Sequence, residues 1–134
     1  MRVFIICSKA FYEKIPTIKE KLEQNGHTII LPNCYDCPET EAKYRGTKDH
    51  ASWKGKMFKH SEEVISSVDA VLVLNYTKNG IDNYIGGATF LEMYDAFRLG
   101  KKIYLYNDIP KGMLFDEIEG FGPIIINGDL NLIK

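Results

Sequence analysis

The chain has 134 residues, 45% of them hydrophobic and 26% charged, with a formal net charge of -1. That length suits one domain, spanning 1–134, with a core of its own, and the composition is that of an ordinary globular protein. A charge so close to zero excludes a global field that would draw nucleic acid or a lipid surface, and no run of about 18 apolar residues is present to cross a membrane.

The opening run from Arg2 to Cys7, R-V-F-I-I-C, predicts a strand over 3–7 that is covered on both faces. It is too short for a signal peptide and lacks a small-residue cleavage site. Three cysteines cannot all pair within one chain, so a reduced, cytoplasmic protein is expected. Phe11, Ile15, Ile18 and Leu22 recur at helical spacing and predict a helix over 10–25, with Pro16 marking a restart in a first turn. Asn25-Gly26 stops that helix, and a second strand is expected over 27–31, ended by Pro32. Residues 33–46 are polar and rich in turn formers, and predict a loop over the pocket.

A helix is expected over 48–67 from Ala51, Trp53, Met57, Val64 and Ile65, with a weak middle. The third strand is expected over 69–75. A loop with an Asn79-Gly80 turn follows over 77–85, then a helix over 86–99 that Gly100 ends. A fourth strand over 102–106, a short helix over 112–120, a fifth strand over 123–126 and a short tail complete the chain. Strands alternating with helices predict a parallel sheet with right-handed crossovers and helices on both faces. Five strands fit a flavodoxin-like, Rossmann-like three-layer α/β sandwich with strand order 2-1-3-4-5.

Such a sheet binds ligands beyond the carboxyl ends of its strands, at the switch between strands 1 and 3. That rule brings Cys7, Ser8 and Lys9, Asn33, Asn75 and Tyr76, and Tyr106 and Asn107 to one region, together with the start of the Gly86 helix. Asp69 falls at the opposite end and is discounted. Gly86 and Gly87 open a helix after a buried strand, an arrangement that offers free backbone N–H groups to an anion. The plain alternative is a tight turn needing positive φ. Thr89 either gives its hydroxyl to a phosphate or caps the first turn, and Ser8 either meets a ligand or caps the first helix. Asn75 reads as a base or sugar contact, or as a residue that satisfies loop backbone.

The run S-V-D-A-V-L-V-L-N from Ser67 to Asn75, then G-G-A-T-F-L-E-M from Gly86 to Met93 and A-F-R-L-G-K-K-I-Y-L from Ala96 to Leu105, resembles the nucleoside 2-deoxyribosyltransferase-like superfamily, which includes deoxynucleoside-monophosphate N-glycosidases. The strand 1 end F-I-I-C-S, with Ser8 in the turn, fits the same pattern. The resemblance implies N-glycosidic bond cleavage or 2-deoxyribosyl transfer on a nucleoside or nucleoside 5′-monophosphate. It also implies Glu92 as nucleophile and the glycine turn as the holder of sugar or 5′-phosphate, with assembly as a homodimer or higher homo-oligomer. One departure stands out: the family usually places an aspartate eight residues before the Asp69 position, and Ser61 occupies it here, between His60 and Glu62. A weaker similarity, of G-G-A-T-F-L-E to P-G-G-x-G-T-x-x-E, points to the lysine-decarboxylase-like phosphoribohydrolases.

Glycosidic cleavage needs a carboxylate under the anomeric carbon and a group that assists the leaving base. Glu92 fits the first role; Glu62, His60, Asp95 or a water fits the second, and Glu62 is taken as the second acid. Glu92 would otherwise be a surface glutamate paired with Arg98 or a lysine. Asp95 shares a helix face with Glu92, and Asp82 precedes the glycines on a loop. Cys34-x-x-Cys37 lacks the second ligand pair that a structural zinc site needs, so no metal and no cofactor is expected. Lys43, Arg45, Lys48, Lys54, Lys56 and Lys59, with Tyr44 and Trp53 among them, read as a solvated face rather than a nucleic-acid site. One or two of those lysines can steer an anionic nucleotide. A non-catalytic nucleotide-binding or sensor protein on the same scaffold is the alternative function.

Overall fold

In a computed structural model describing residues 1–134, five parallel strands form one sheet in the order β2-β1-β3-β4-β5. They are β1 (Arg2–Cys7), β2 (Thr28–Ile30), β3 (Ala70–Leu74), β4 (Lys102–Leu105) and β5 (Ile124–Ile125). The crossover helices are α1 (Ile15–Gln24), α2 (Glu39–Tyr44), α3 (His50–Ser66), α4 (Gly87–Arg98) and α5 (Phe115–Gly120). The α/β three-layer architecture and its strand order are those expected from the alternation of strand and helix patterns.

Alternation along the central strands divides the core in two. Phe4, Ile6, Val71, Val73, Ile103 and Leu105 face one side and pack with Ile65 of α3, Met93 and Ala96 of α4 and Ile118 of α5. Val3, Ile5, Ala70, Leu72, Leu74 and Tyr104 face the other, against Ile15, Ile18 and Leu22 of α1 and against Ile126 and Ile133 near the C-terminus. All five residues of β3 are buried, as befits the middle strand of a parallel sheet. Each fully buried Leu or Ile stabilises the fold by about 1.5–3 kcal/mol relative to an exposed one.

The first helical segment is two pieces. Lys9–Lys14 forms a 3-10 turn capped by Ser8, and α1 starts at Ile15 with Pro16 in its first turn. Proline lacks the N–H that a helix interior needs but fits a first turn, so the break falls where Pro16 puts it. At the far end of α4, Gly100 takes φ +70° and the N–H of Lys101 reaches back to the Ala96 carbonyl at 2.9 Å, which closes the helix.

The segment expected to be all loop contains α2. Two acidic residues in its first turn, Glu39 and Glu41, complement the helix dipole, but α2 buries none of its own residues and so carries no apolar periodicity to betray it. The short tail contains a 3-10 turn, Leu130–Leu132, capped by Asp129. β5 is only two residues long, pairing Tyr104 with Ile124 and Leu105 with Ile125.

Candidate functional site

A cavity of about 600 Å³ opens beyond the carboxyl ends of β1 and β2 and against the start of α4. Its lining includes Cys7 and Ser8 from the end of β1, Asn33 after β2, Lys78 and Tyr84 from the loop before α4, and Gly86, Gly87, Thr89 and Glu92. The opposite wall is α2 and α3, which contribute Glu41, Arg45, His50, Trp53, Lys54 and Ser61. On α3 the lining positions 50, 53, 54, 57, 58 and 61 recur at three- and four-residue spacing. One helix face therefore borders the cavity, and its polar members explain the weak middle of the apolar pattern.

Glu92 sits in the second turn of α4 with its carboxylate held from α3. Ser61 Oγ donates to Glu92 Oε2 at 2.8 Å, and Asn33 Nδ2 donates to Ser61 Oγ at 2.6 Å and to the Met57 carbonyl at 3.3 Å. Ser61 is 2% exposed, so this chain of hydrogen bonds is sheltered. Burial raises the Glu92 pKa from its ordinary range to about 7, and the nearby charge of Asp95 adds to the rise. The Ser61 hydrogen bond and the Lys54 charge act in the opposite sense and moderate it. Near neutral pH the carboxyl is thus poised between its two forms, a state found where groups do chemistry.

The entry to α4 is open backbone. Gly86 is its N-cap with extended geometry, φ -82° and ψ 173°, and no side chain caps the first turn. The first N–H groups are therefore available to an anion. Gly86 is not needed for positive φ. A Cβ there would stand 3.2 Å from the Tyr84 hydroxyl, a contact tight enough that the ring would have to give by a few tenths of an ångström. Thr89, in the first turn, is 4% exposed and lines the cavity. Ser8 caps the first helical turn and lines the cavity: its Oγ accepts from the Ala10 N–H at 3.4 Å and from Lys78 Nζ at 3.1 Å. Lys78 flanks the Asn79-Gly80 turn, whose residues take φ 51° and 78°, and its Nζ lies 4.8 Å from the Tyr84 ring centroid.

A second carboxylate, Glu41, faces the cavity from α2. Its Oε1 accepts from Arg45 at 2.6 Å and its Oε2 from Lys54 at 3.4 Å. Burial alone would raise the Glu41 pKa, but Lys54 and Arg45 outweigh burial and hold the carboxyl below its ordinary value. Cys7 is pushed up to about 12, by burial first and then by Glu92, and Tyr12 is raised well above the usual tyrosine range mainly by burial. Neither is poised to ionise.

Ser8, Gly86, Gly87, Thr89 and Glu92 come together as the sequence leads one to expect. Asn75 and Glu62 do not join them. Asn75 is fully buried away from the cavity and ties the end of β3 to the segment after β4. Its Nδ2 donates to the carbonyls of Asn107 at 3.1 Å and Asp108 at 2.9 Å, and its Oδ1 accepts from the Asn107 N–H at 2.8 Å. Satisfying buried backbone is its role here. Glu62 turns outward, its Oε1 3.7 Å from Arg98. It borders a second, smaller cavity of about 220 Å³, which Ser61 and Glu92 also line. Asp95 lies in that smaller cavity and pairs with Arg98 at 3.3 Å. Asp82 accepts from Thr77 Oγ1 at 3.0 Å, outside the large cavity.

Glu41, Arg45, Lys54 and Lys78 were not singled out as site residues from sequence. For Lys78 the signal was present: an Asn-Gly turn fixes which residues flank it, and the loop runs straight into the glycines. For Glu41 no apolar pattern marked the helix that carries it. Cys34 lines the cavity and Cys37 is exposed, with the Cys37 N–H closing a turn on the Cys34 carbonyl at 3.1 Å. No group of three or more His, Cys, Asp or Glu side chains is arranged to hold a metal ion. No helix is long and apolar enough to cross a membrane.

No family model matches the chain, and no curated protein matches it either. Among solved structures it is similar to the Clostridium botulinum CMP N-glycosidase BcmB, at 19% sequence identity and a TM-score of 0.53. The match covers 99% of this chain and 98% of that one. At that identity the likeness is one of fold, and it extends over nearly the whole of both chains: this chain has the α/β fold of the CMP N-glycosidase BcmB.

Proposed function

We propose that this protein cleaves the N-glycosidic bond of a nucleoside 5′-monophosphate or nucleoside, with Glu92 as the nucleophile. The observation that carries the reading is the cavity-lining carboxylate of Glu92, raised to about 7 and steadied by Ser61 and Asn33. The uncapped start of α4, with Ser8, Thr89 and Lys78 beside it, offers donors for a 5′-phosphate or the sugar hydroxyls. As the bond to the base breaks, positive charge builds on the anomeric carbon; the Glu92 carboxylate stabilises it and closes onto it as a glycosyl ester. Water then completes hydrolysis, or a second base completes transfer; both use the same ester. The full-length fold likeness to a CMP N-glycosidase supports this reading.

Incubation with a panel of nucleotides and nucleosides, read by liquid chromatography for free base, is the direct test. Wild type is expected to release base, and Glu92→Ala to lose at least about 10³-fold of that activity. Equal activity in the two proteins would remove Glu92 from the mechanism.

Non-catalytic nucleotide binding is the second reading, favoured by Ser61 standing where the resemblance calls for an aspartate. Tight binding by calorimetry with no base released over hours would select it. Assembly as a homodimer belongs to the same proposal. Leu91, Tyr94 and Phe97 of α4 are exposed side chains of 45%, 46% and 49%, an apolar face suited to a second copy. Sedimentation of wild type against Phe97→Glu tests it, with the variant expected to run as the smaller species.

A further inference from the structure

We propose that Lys54 serves the leaving base: with the sugar over Glu92, its ammonium donates to the acceptor atom beside the glycosidic nitrogen, O2 of a pyrimidine or N3 of a purine. The inference rests on the glycosidase reading and assigns the role that Glu62 does not occupy.

The cavity has two chemically different ends. Donors for an anion gather at the start of α4, where Ser8, Lys78 and the uncapped N–H groups lie. Glu92 marks the position of the anomeric carbon. A nucleotide anchored by its phosphate at the first end directs its base toward the α2–α3 wall, and Lys54 stands on that wall. Its ammonium lies over the Phe58 ring, with Nζ 5.6 Å from the centroid, so the side chain is guided rather than free. Only one of its three N–H donors is engaged, by Glu41 Oε2 at the long distance of 3.4 Å. Arg45 holds the other Glu41 oxygen at 2.6 Å. Glu41 is therefore shared between Lys54 and Arg45, which together hold it ionised; it serves Lys54 as a tether and leaves two ammonium donors for a ligand. The Lys54 charge also acts on Glu92, so it lies within electrostatic reach of the reacting carbon.

The step balances. The C1′–N bond breaks and its electron pair goes to the base; Glu92 forms a C1′–O bond; Lys54 passes a proton to the base, which leaves neutral. Water then attacks C1′, the ester bond breaks back to the carboxylate, and the proton released by the water restores the ammonium. Lys54 in this role is worth what a positioned acid is worth, about 10²–10⁴-fold.

The test compares two leaving groups on Lys54→Met, which keeps the stem and loses the charge. One substrate is a nucleoside 5′-monophosphate that wild type cleaves; the other is 4-nitrophenyl riboside 5-phosphate, whose phenolate departs without a proton. The variant is expected to lose at least about 10²-fold in kcat on the nucleotide and less than about tenfold on the nitrophenyl substrate. Lys54→Arg, which keeps a donor, is expected to recover part of the nucleotide activity. Equal losses on both substrates, or a Lys54→Arg protein no better than Lys54→Met, would overturn the assignment while leaving the glycosidase reading intact. Wild type that cleaves neither substrate nor any nucleotide in the panel would overturn the glycosidase reading itself, and this inference with it.

Discussion

A carboxyl that is easier to protonate in the folded protein than in the unfolded chain leaves its mark on both rate and stability. Glu92 is raised from 4.5 to about 7, chiefly by burial. In the proposed reaction the ionised form is the nucleophile, so kcat/KM is expected to rise with pH through about 7 and level off above it. Ser61 donates to the charged form, and Ser61→Ala is expected to move that limb up by about one pH unit, as read from a pH–rate profile. For stability the sign is reversed. Between pH 4.5 and 7 the folded protein holds a proton that the unfolded chain has lost, so stability falls as pH rises through that window. Glu92→Gln is therefore expected to stabilise the protein by about 1–3 kcal/mol at pH 8, with little effect at pH 4. Urea denaturation at the two pH values measures it. Glu92 drew attention in the sequence chiefly through the resemblance carried by G-G-A-T-F-L-E-M, with the two glycines and the helix pattern fixing its distance from an open helix end. Ser61 as its holder was not: the two residues lie 31 apart in the chain, and only the packing of α3 on α4 brings them into contact.

At the scale of elements, the strand ends do as much as the helices to shape the site. Asn75 locks β3 to the turn after β4 through its side chain and its own carbonyl, which accepts from Asn107 Nδ2 at 3.1 Å. Asn75→Ala would strand several buried partners and is expected to cost about 2–4 kcal/mol in chemical denaturation, without moving the pH–rate profile. A strand-end asparagine at the switch region reads equally well as a ligand contact or as a backbone clasp, and only the position of β4 decides. α3 and α4 were recovered with ends displaced by a residue or two, because apolar spacing locates a helix middle better than its ends, whereas the first expected helix splits into a 3-10 turn and α1. α2 escaped notice for a physical reason: six residues that bury nothing have no face to write into the sequence.

Across the whole molecule, the order β2-β1-β3-β4-β5 follows from a short list of rules acting on strong signals. Buried runs such as Ala70–Leu74 cannot sit at an edge, and alternation with helices leaves few topologies open. Placing the cavity followed from topology too, since the carboxyl ends of a parallel sheet are where its loops converge. Which side chains meet across that space was less legible, because it depends on crossings between elements far apart in sequence. Leu72, fully buried at the centre of the sheet, anchors one of the two core layers. Leu72→Ala is expected to destabilise the whole fold by about 2–5 kcal/mol, with a matching fall in the urea midpoint.

The wall formed by α2 differs from everything around it. It buries no residue of its own, and Cys34 before it and Gly46 after it take φ values of 60° and 81°. A short helix held to α3 by one stacked ring pair, Tyr44 on Trp53, and by the ion pair of Glu41 with Lys54 opens at far less cost than a strand of the sheet. Under the proposed glycosidase reading, α2 is the wall past which a spent base would leave, beside Glu41 and away from the donors at the start of α4. In that reading the base would go ahead of the sugar, and the emptied half of the chamber would admit the acceptor, water or another base, that resolves the proposed ester.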